Sequence, residues 1–405
     1  MQHLARLIVL PILLCPVATG ASPKAKDLAS LQRRVEAYVS AKRKTSRAAA
    51  YAKIAKHPLG SIDNVTAVLR SRVKYRPALA GMTKHALKST SGKPLSTYTV
   101  IVPKDYHPKH KWPLILALAG GRGNGAKYAP FWQRTLQGEK YLVVCPVGRD
   151  AWWHSSYVIA LAALKDACKR YNVDRNRVYV TGISNGGNGS WFLAMHYPDL
   201  FAAAAPMAGC PATKKGGMDF RYLGNLLNVP VYAVHGAADE TISIEPERKA
   251  ESVLRRLSYD FKFEEIPNGS HGSPSQRAPQ IVKWFESQQR DPAPAHVCYR
   301  KQTSGPKLCY WMMIGRNPNK RPAALDARIV KRNRIELKTA RVGQLVLFLN
   351  DDLVDADGPI EVYNNGKLAK TYEPKPGLKT LLLSAQLFDD PERLYPMSIS
   401  LKLSD

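Results

Sequence analysis

From about Gly81, short runs of apolar residues alternate with segments of helical periodicity. A continuous apolar run is what a strand buried on both faces requires. Between two of these runs, Tyr157, Leu161, Leu164 and Cys168 recur at the spacing of one helix face. This alternation predicts a mostly parallel sheet covered on both sides, with sites at the carboxyl ends of its strands. The runs are PLILALAG (113–120), YLVVCPVG (141–148), RVYVTGIS (177–184), FAAAAPMAG (201–209) and VPVYAVHG (229–236).

The chain before this region has a helical pattern. Within 24–56, Leu28, Leu31, Val35 and Tyr38 recur at helical spacing on a basic background, which predicts one or more amphipathic helices. Such a segment is either a strut that lies on the main domain or an arm that binds a polymer.

The chain after this region reads as a separate domain. The stretch QRDPAPAH (289–296) has the composition of a linker, and alternating strands follow it, with Asn365-Gly366 as a hairpin turn and a helix from about Gly377 to Phe388. We therefore predict an α/β protein with a doubly wound sheet, a basic helical segment before it and a smaller, mainly β domain after it. The predicted bounds are 1–21 for a signal peptide, 22–80 for the basic segment, 81–288 for the α/β domain, 289–296 for the linker and 297–405 for the β domain.

The chain is strongly basic. Lys and Arg outnumber Asp and Glu by 60 to 32, for a formal net charge of +28, and the excess is concentrated in 22–60 and 300–341. A positive surface attracts polyanions, so one interpretation is adhesion to an acidic polymer. The other is a solvated basic surface without a partner. Neither predicts specific recognition of nucleic acid.

The N-terminus has the pattern of an export signal. Arg6 precedes an apolar run from Leu7 to Ala18, and the small residues Gly20 and Ala21 offer a cleavage point. The run is too short to span a bilayer, and no other stretch predicts a transmembrane helix. Cys15 follows Leu14 and not a small residue, which argues against lipid attachment. We expect a secreted or periplasmic protein.

Five cysteines remain after the predicted signal, and no CxxC pair indicates a zinc or redox motif. Cys298 and Cys309 flank KQTSGPKL, which has the composition of a turn, so a disulfide between them is expected after export. Cys145, Cys168 and Cys210 lie in apolar stretches and are expected to be buried thiols.

The sharpest local motif places Ser184 between a strand and a helix. In RVYVTGISNGGNGSWFLAMHYP the serine has Gly182 two residues before it and Gly186 two residues after it. A nucleophile elbow needs this arrangement, because the serine occupies a strained turn and the glycines let strand and helix pass without a Cβ clash. Ser184 is therefore the predicted nucleophile.

An elbow serine needs an acid and a histidine further along the chain, in that order. Asp239 follows one buried strand and His271 lies in a loop after the next, so these are the predicted partners. The imidazole would take the serine proton, and the carboxylate would hold the imidazole. Glu240 is a rival for the acid; His235 and His154 are rivals for the base.

The reaction also needs donors for an oxyanion. We predict the backbone N–H of Asn185 and, from the loop LALAGGRGNG, that of Gly121, with Gly120 beside the substrate. The segment GRGNGA also fits a dinucleotide-binding pattern. The residues KYAPFW that follow it do not predict a convincing helix, which argues against nucleotide binding.

These motifs resemble those of secreted α/β-hydrolases related to polyhydroxybutyrate depolymerases, feruloyl esterases and acetylxylan esterases. The likeness covers about 90–285 and is carried by VDRNRVYVTGISNGG, LALAGGRGNG, VHGAADETI and NGSHG. It implies an α/β-hydrolase fold and acyl transfer from an ester to Ser184 and then to water, with no metal or organic cofactor. Ala119 stands where relatives commonly carry a histidine. Trp152-Trp153 resembles a substrate-facing loop, so Trp153 is a predicted cleft residue, although buried packing explains both tryptophans as well.

Three functions are consistent with the sequence. The first is an esterase acting on a polymeric or carbohydrate-linked ester, as export and a modular chain favour. The second is a peptidase of the prolyl-oligopeptidase type, which shares the fold and the order of the triad. The third is a polyanion-binding protein with an inactive hydrolase domain.

Overall fold

A computed structural model describes residues 25–403 except 72, 90, 137, 139, 212–217, 219 and 316–320. The predicted signal peptide therefore lies outside the described residues. None of the described helices is long and apolar enough to cross a membrane. The boundaries of the domains remain predictions, but the elements below follow the order that the sequence indicated.

Eight strands form one sheet in the middle of the chain. They are β1 (Gly81–Lys88), β2 (Pro94–Val102), β3 (Trp112–Leu118), β4 (Leu142–Pro146), β5 (Val173–Ile183), β6 (Ala203–Met207), β7 (Val231–Gly236) and β8 (Phe261–Ile266). Their order across the sheet is β1-β2-β4-β3-β5-β6-β7-β8. Strand β2 is antiparallel to both of its neighbours, and β3 to β8 are parallel to one another. The carboxyl ends of β5, β7 and β8 therefore lie at one edge.

Both faces of this sheet are covered, as the continuous apolar runs predicted. Along β3, Leu114, Leu116 and Leu118 belong to one buried cluster, whereas Ile115 and Ala117 belong to a second cluster on the opposite face. Alternate side chains of a strand point to opposite faces, so this division places a core on each side. The covering helices are α4 (Gly125–Thr135), α5 (Tyr157–Arg170), α6 (Asn185–His196), α7 (Glu245–Arg256) and α8 (Ala278–Phe285).

The basic N-terminal segment contains three helices, α1 (Ala25–Ser40), α2 (Lys44–Ala55) and α3 (Ile62–Ser71). Apolar side chains of all three helices pack into one buried cluster, whereas Leu28 of α1 is 42% exposed. Leu31 and Val35 of α1 are fully buried against Leu381 and Leu382 of the helix Leu378–Phe388. The segment is thus a strut, but it lies on a helix of the C-terminal region, which the sequence did not predict.

The C-terminal region is a sandwich of two sheets around one core. One sheet has the order β10-β11-β14-β17 and the other the order β16-β15-β13-β12-β9, and one buried cluster contains residues of both. As predicted, Asn365 and Gly366 form a tight turn, both with positive φ. The elements are β9 (His296–Lys301), β10 (Leu308–Cys309), β11 (Met312–Ile314), β12 (Ala323–Lys331), β13 (Arg334–Ala340), β14 (Gln344–Leu349), β15 (Ile360–Asn364), β16 (Lys367–Tyr372), α9 (Leu378–Phe388) and β17 (Met397–Lys402).

The expected disulfide between Cys298 and Cys309 is wrong. Both residues are free thiols. Cys309 is buried in the core of the sandwich together with Val297 and Tyr299 of β9. Cys298 lies between those two residues on the strand, so the alternation of β9 points it to the opposite face. Composition and spacing indicated a turn, but not the face on which each sulfur lies.

The stretch predicted to be a linker is firmly attached on both sides. Arg290 is buried, donates to the carbonyl of Asp199 at 2.7 Å and to Asn176 Oδ1 at 2.8 Å, and forms an ion pair with Asp390 at 2.8 Å. Arg393 contacts the carboxylates of both Asp199 and Asp390. A buried ion network therefore joins the eight-stranded sheet to the C-terminal region.

Candidate active site

Ser184 occupies a strained backbone position between β5 and α6. Its φ of 59° and ψ of −121° lie outside the regions that side chains normally favour, and its N–H donates to the carbonyl of Met207 at 2.9 Å. A Cβ on Gly182 would lie 2.5 Å from the carbonyl oxygen of Leu118, and one on Gly186 only 1.9 Å from it. The two glycines are required because β3 runs this close to the turn, which is the geometry of a nucleophile elbow.

Asp239 and His271 form a direct pair. Asp239 follows β7, His271 follows β8, and Nδ1 of the histidine lies 2.7 Å from Oδ2 of the aspartate. The aspartate side chain is fully buried, whereas 27% of the histidine side chain is exposed. Oδ1 of Asp239 accepts the N–H groups of Thr241 at 2.8 Å and Ile242 at 3.0 Å. These three groups donate to the carboxylate, and a fourth, Nε2 of His235, lies 3.1 Å from Oδ2.

Those donors decide the charge of Asp239. Burial alone would raise the pKa of the Asp239 carboxyl, but the N–H of Ile242 and the contact with His271 outweigh burial and hold the pKa below its usual value. An ionised carboxylate accepts the proton of Nδ1. In a neutral imidazole, Nε2 of His271 is then left as the acceptor.

A second buried pair lies behind Asp239. His235 Nε2 is 3.1 Å from Asp239 Oδ2 and 3.0 Å from the carbonyl of Ile242, and its Nδ1 is 2.5 Å from Glu247 Oε2. Glu247 also accepts the indole N–H of Trp191 at 3.0 Å. The side chains of His235 and Glu247 are both fully buried. His235 was a rival for the base in the sequence, but the structure places it within the protein.

Together, His235 and Glu247 hold one proton more than a neutral imidazole and an ionised carboxylate would. Both ring nitrogens of His235 face oxygen acceptors. Either the imidazole carries a proton on each nitrogen, or it carries one on Nε2 and Glu247 carries the other. Burial works to lower the pKa of His235, but the hydrogen bond and charge of Glu247 raise the pKa; burial raises the pKa of Glu247. The pair therefore keeps this proton at a higher pH than either group would alone in water.

The other two rivals lie on the surface. His154 is exposed and contacts Asp150 at 3.0 Å, and Glu240 is exposed beside Asp239. The arrangement of donors described above involves neither of them. The sequence alone had left both open.

The loop after β3 lies against the elbow. Gly120 approaches Ser184 so closely that a Cβ on this glycine would lie 3.3 Å from the Cβ of the serine. Gly121 has a φ of 54°, and its carbonyl accepts the side-chain amide of Asn185 at 2.6 Å. Asn185 Oδ1 in turn accepts the N–H of Trp152 at 3.2 Å. The side chain of Asn185 thus ties two loops to the start of α6, a role that sequence reasoning missed.

Helix α4 begins directly after this loop, contrary to our reading of KYAPFW. Asn124 caps the helix by accepting the N–H of Lys127 at 3.2 Å, and Pro130 lies within it. A Cβ on Gly125 would lie 2.3 Å from the carbonyl oxygen of Pro146. Because a helix does follow the loop, the argument against nucleotide binding from KYAPFW does not hold. The glycine itself is explained by the close packing of α4 on β4.

Trp152 and Trp153 have different environments. Trp152 is fully buried, and its indole N–H donates to the carbonyl of Ala119 at 2.8 Å. Gly123, Gly148 and Gly189 leave space for it, since a Cβ on each would lie within 3.1 Å of the tryptophan side chain. Trp152 is thus a packing residue that joins three segments around the elbow. Trp153 is half-buried, and its place in a substrate cleft remains a prediction.

Parts of this chain are similar to known proteins. Residues 157–220 match the prolyl oligopeptidase family. Poly(3-hydroxyalkanoate) depolymerase C of Paucimonas lemoignei is 32% identical over 116 residues, 24% of this chain and 28% of the relative. Acetylxylan esterase A of Emericella nidulans is 51% identical over 43 residues, 11% of this chain and 14% of the relative. The order of the strands, the turn at Ser184 and the similar proteins all point to one fold. This domain has the α/β-hydrolase fold and is similar to esterases.

The matches cover only part of this chain and only part of each relative. An uncharacterized secreted protein of Arthroderma benhamiae is 29% identical over 115 residues, which are 23% of this chain and 12% of the relative. The matched residues span less than a third of the length of each of these three relatives. The order of the strands and the turn at Ser184 show the fold.

Proposed function

We propose that the chain is a serine hydrolase that cleaves carboxylic esters through an acyl-enzyme on Ser184. The observation that carries the proposal is the 2.7 Å contact of His271 Nδ1 with the buried Asp239, on the same edge of the sheet as the strained serine. The depolymerase and acetylxylan esterase among its relatives support an ester substrate.

The residues of the site divide the reaction between them. Ser184 Oγ attacks the ester carbonyl as His271 Nε2 takes its proton, and Asp239 stabilises the imidazolium that forms. The N–H groups of Asn185 and Gly121 would donate to the oxyanion. The ester C–O bond breaks as His271 returns the proton to the leaving alcohol. Water, activated by the same imidazole, then releases the acid and restores the serine.

His235 and Glu247 serve as positioning residues in this scheme. They do not touch the reacting atoms, but His235 Nε2 contacts the same oxygen of Asp239 that His271 contacts. A protonated pair behind the aspartate keeps it ionised and fixes its orientation.

Labelling with a fluorophosphonate probe tests the nucleophile. The full chain should become labelled, Ser184→Ala should not, and the exposed-serine control Ser287→Ala should label like the parent. Hydrolysis of an aryl acetate should be lost in Ser184→Ala alone. Labelling that persists in Ser184→Ala would refute the assignment.

A peptidase is the second candidate, because residues 157–220 match the prolyl oligopeptidase family. Both activities would use the same three residues, so substrate preference must separate them. The ester proposal expects turnover of aryl esters and little turnover of matched aryl amides. The reverse preference would establish a peptidase.

We further propose that the substrate is a polymeric or carbohydrate-linked ester outside the cytoplasm. The names of the relatives and the N-terminal export pattern support this proposal. Acetyl, feruloyl and hydroxybutyryl esters with a common leaving group would identify the acyl part. Heparin retention that collapses with salt would indicate that the basic segments bind an acidic polymer.

A further inference from the structure

Three side chains of different chemistry meet on the outer face of the sandwich. His296 and Cys298 are two residues apart on β9, so they point to the same face. Asp326 lies on β12 directly opposite Cys298 in the register of the two strands. Val297 and Tyr299, which alternate with them, fill the core. The three polar groups are thus held by paired strands, which makes their geometry rigid.

The separations of their donor atoms suit a tetrahedral metal ion. His296 Nε2 is 3.4 Å from Cys298 Sγ and 3.3 Å from Asp326 Oδ2, and the sulfur is 3.1 Å from that oxygen. Zinc bound tetrahedrally at about 2.3 Å from sulfur and about 2.0–2.2 Å from nitrogen and oxygen spaces nitrogen and oxygen ligands about 3.3–3.5 Å apart and separates sulfur from either of them by about 3.5–3.7 Å. The nitrogen–oxygen separation falls in its range, the sulfur–nitrogen separation is about 0.1 Å short, and the sulfur–oxygen separation is about 0.4 Å short, so the carboxylate would move slightly away from the sulfur on binding.

Hydrogen bonding explains only part of the cluster. The thiol can donate to Asp326, and the imidazole can donate to the same carboxylate. The third contact, between sulfur and Nε2, then has no proton in it. A shared cation would account for all three contacts at once. A thiolate, a carboxylate and a neutral imidazole around a divalent ion also form a set with no net charge.

The surroundings orient these groups as the outer shell of a metal site does. Arg328 Nε donates to Asp326 Oδ1 at 3.0 Å, and His296 Nε2 lies 3.3 Å from both oxygens of that carboxylate, so Oδ2 is the oxygen that both Cys298 and His296 contact. The carbonyl of His296 accepts the side-chain amide of Asn228 at 2.8 Å, fixing the start of β9 against the hydrolase domain. Such second contacts set the direction of ligands and strengthen metal binding.

We propose that His296, Cys298 and Asp326 form a binding site for a zinc-type divalent cation with water as the fourth ligand. On binding, the S–H bond of Cys298 breaks, its proton goes to solvent and a metal–sulfur bond forms. A groove of about 290 Å³ adjoins the site and gives the ion access from solvent. The site lies where the sandwich begins, so the ion would brace β9 against β12.

Metal binding to the full chain tests this proposal without reference to ester hydrolysis. The protein, without an affinity tag and stripped of metal with a chelator, would be titrated with Zn²⁺ against a chromophoric chelator and separately with Co²⁺. We expect about one ion per chain and a thiolate-to-cobalt absorption band. Both should be lost in Cys298→Ser and strongly weakened in His296→Asn. His110→Asn, which changes an exposed histidine elsewhere, should bind like the parent.

Zinc should also raise the Tm of the parent, because it binds only the folded site, and should not raise that of Cys298→Ser. Hydrolysis of an aryl ester by both proteins would show that the variant is folded, and hydrolysis by neither would bear on the proposed function alone. A parent chain that takes up no more Zn²⁺ or Co²⁺ than Cys298→Ser would overturn the proposal.

Discussion

His235 Nδ1 lies 2.5 Å from Glu247 Oε2, with both side chains fully removed from solvent behind Asp239. The contact joins β7 to α7, so the strand that leads to Asp239 and the helix that follows it are tied at one point. Because Asp239 also contacts His235, a change in the buried pair is transmitted to the predicted catalytic acid.

Removing Glu247 should destabilise the protein. Glu247→Ala leaves His235 and the indole N–H of Trp191 without an acceptor, and loss of one partner of a buried pair costs about 3–5 kcal/mol. The free energy of unfolding in urea measures the loss. The control is Glu245→Ala, two residues earlier in the same helix, where an exposed pair with Arg248 is worth at most about 1 kcal/mol. Equal losses in the two variants would contradict a structural role for the buried pair.

The same pair predicts how stability depends on pH. The native pKa values of His235 and Glu247 are both raised, so the folded state keeps a proton that the unfolded chain releases above about pH 6.5. The stabilising contribution is complete below that pH and is lost as pH rises to the native value. The expected slope is about −1.4 kcal/mol per pH unit within that window. Urea titrations should show it in the parent and not in the apolar double variant His235→Leu/Glu247→Leu.

Much of the hydrolase domain was predictable because its cause is local. The continuous apolar runs of β3 to β7 are what two covered faces require, and the glycines around Ser184 reflect a close approach of backbone. Asp239 and His271 were selected because each follows a strand, and they lie in contact, although their catalytic roles remain predictions. The helix α4 was missed because Pro130 and a glycine-rich start hide its pattern.

The rest depended on how distant elements pack. Glu247 stands in EPERKAESVLRR among exposed charges, and only the packing of α7 beside Trp191 shows that it is buried. His235 looked like a base because the sequence does not tell which way a side chain at a strand end points. Cys298 and Asp326 are 28 positions apart in sequence. The register of β9 against β12 brings them into contact, and the sequence did not indicate that register.

Separate replacements of Asp239 and of its neighbour Glu240 should show which carboxylate is the catalytic acid. Asp239→Asn keeps the shape of the side chain but replaces one acceptor oxygen with a donor, so the imidazole of His271 loses its orientation and its charge partner. A loss of about 10⁴-fold in kcat is expected from the known behaviour of such triads. Glu240→Gln, at the adjacent exposed position, should change kcat little. The assignment fails if ester hydrolysis depends on Glu240 and survives in Asp239→Asn.

The close packing at the turn of Ser184 can be tested with two helical glycines that differ in the space around them. An alanine at Gly186 would place its Cβ 1.9 Å from the carbonyl of Leu118, whereas an alanine at Gly224 meets no atom within 4 Å. Gly186→Ala should therefore force α6 away from β3, with a loss of about 1–3 kcal/mol or more in the free energy of unfolding. The same shift displaces Ser184 and Asn185, so kcat for an aryl ester should fall even at temperatures where the variant remains folded. Gly224→Ala should alter neither quantity appreciably. An active, fully stable Gly186→Ala protein would mean that the strand and helix do not pass each other as closely as this turn requires.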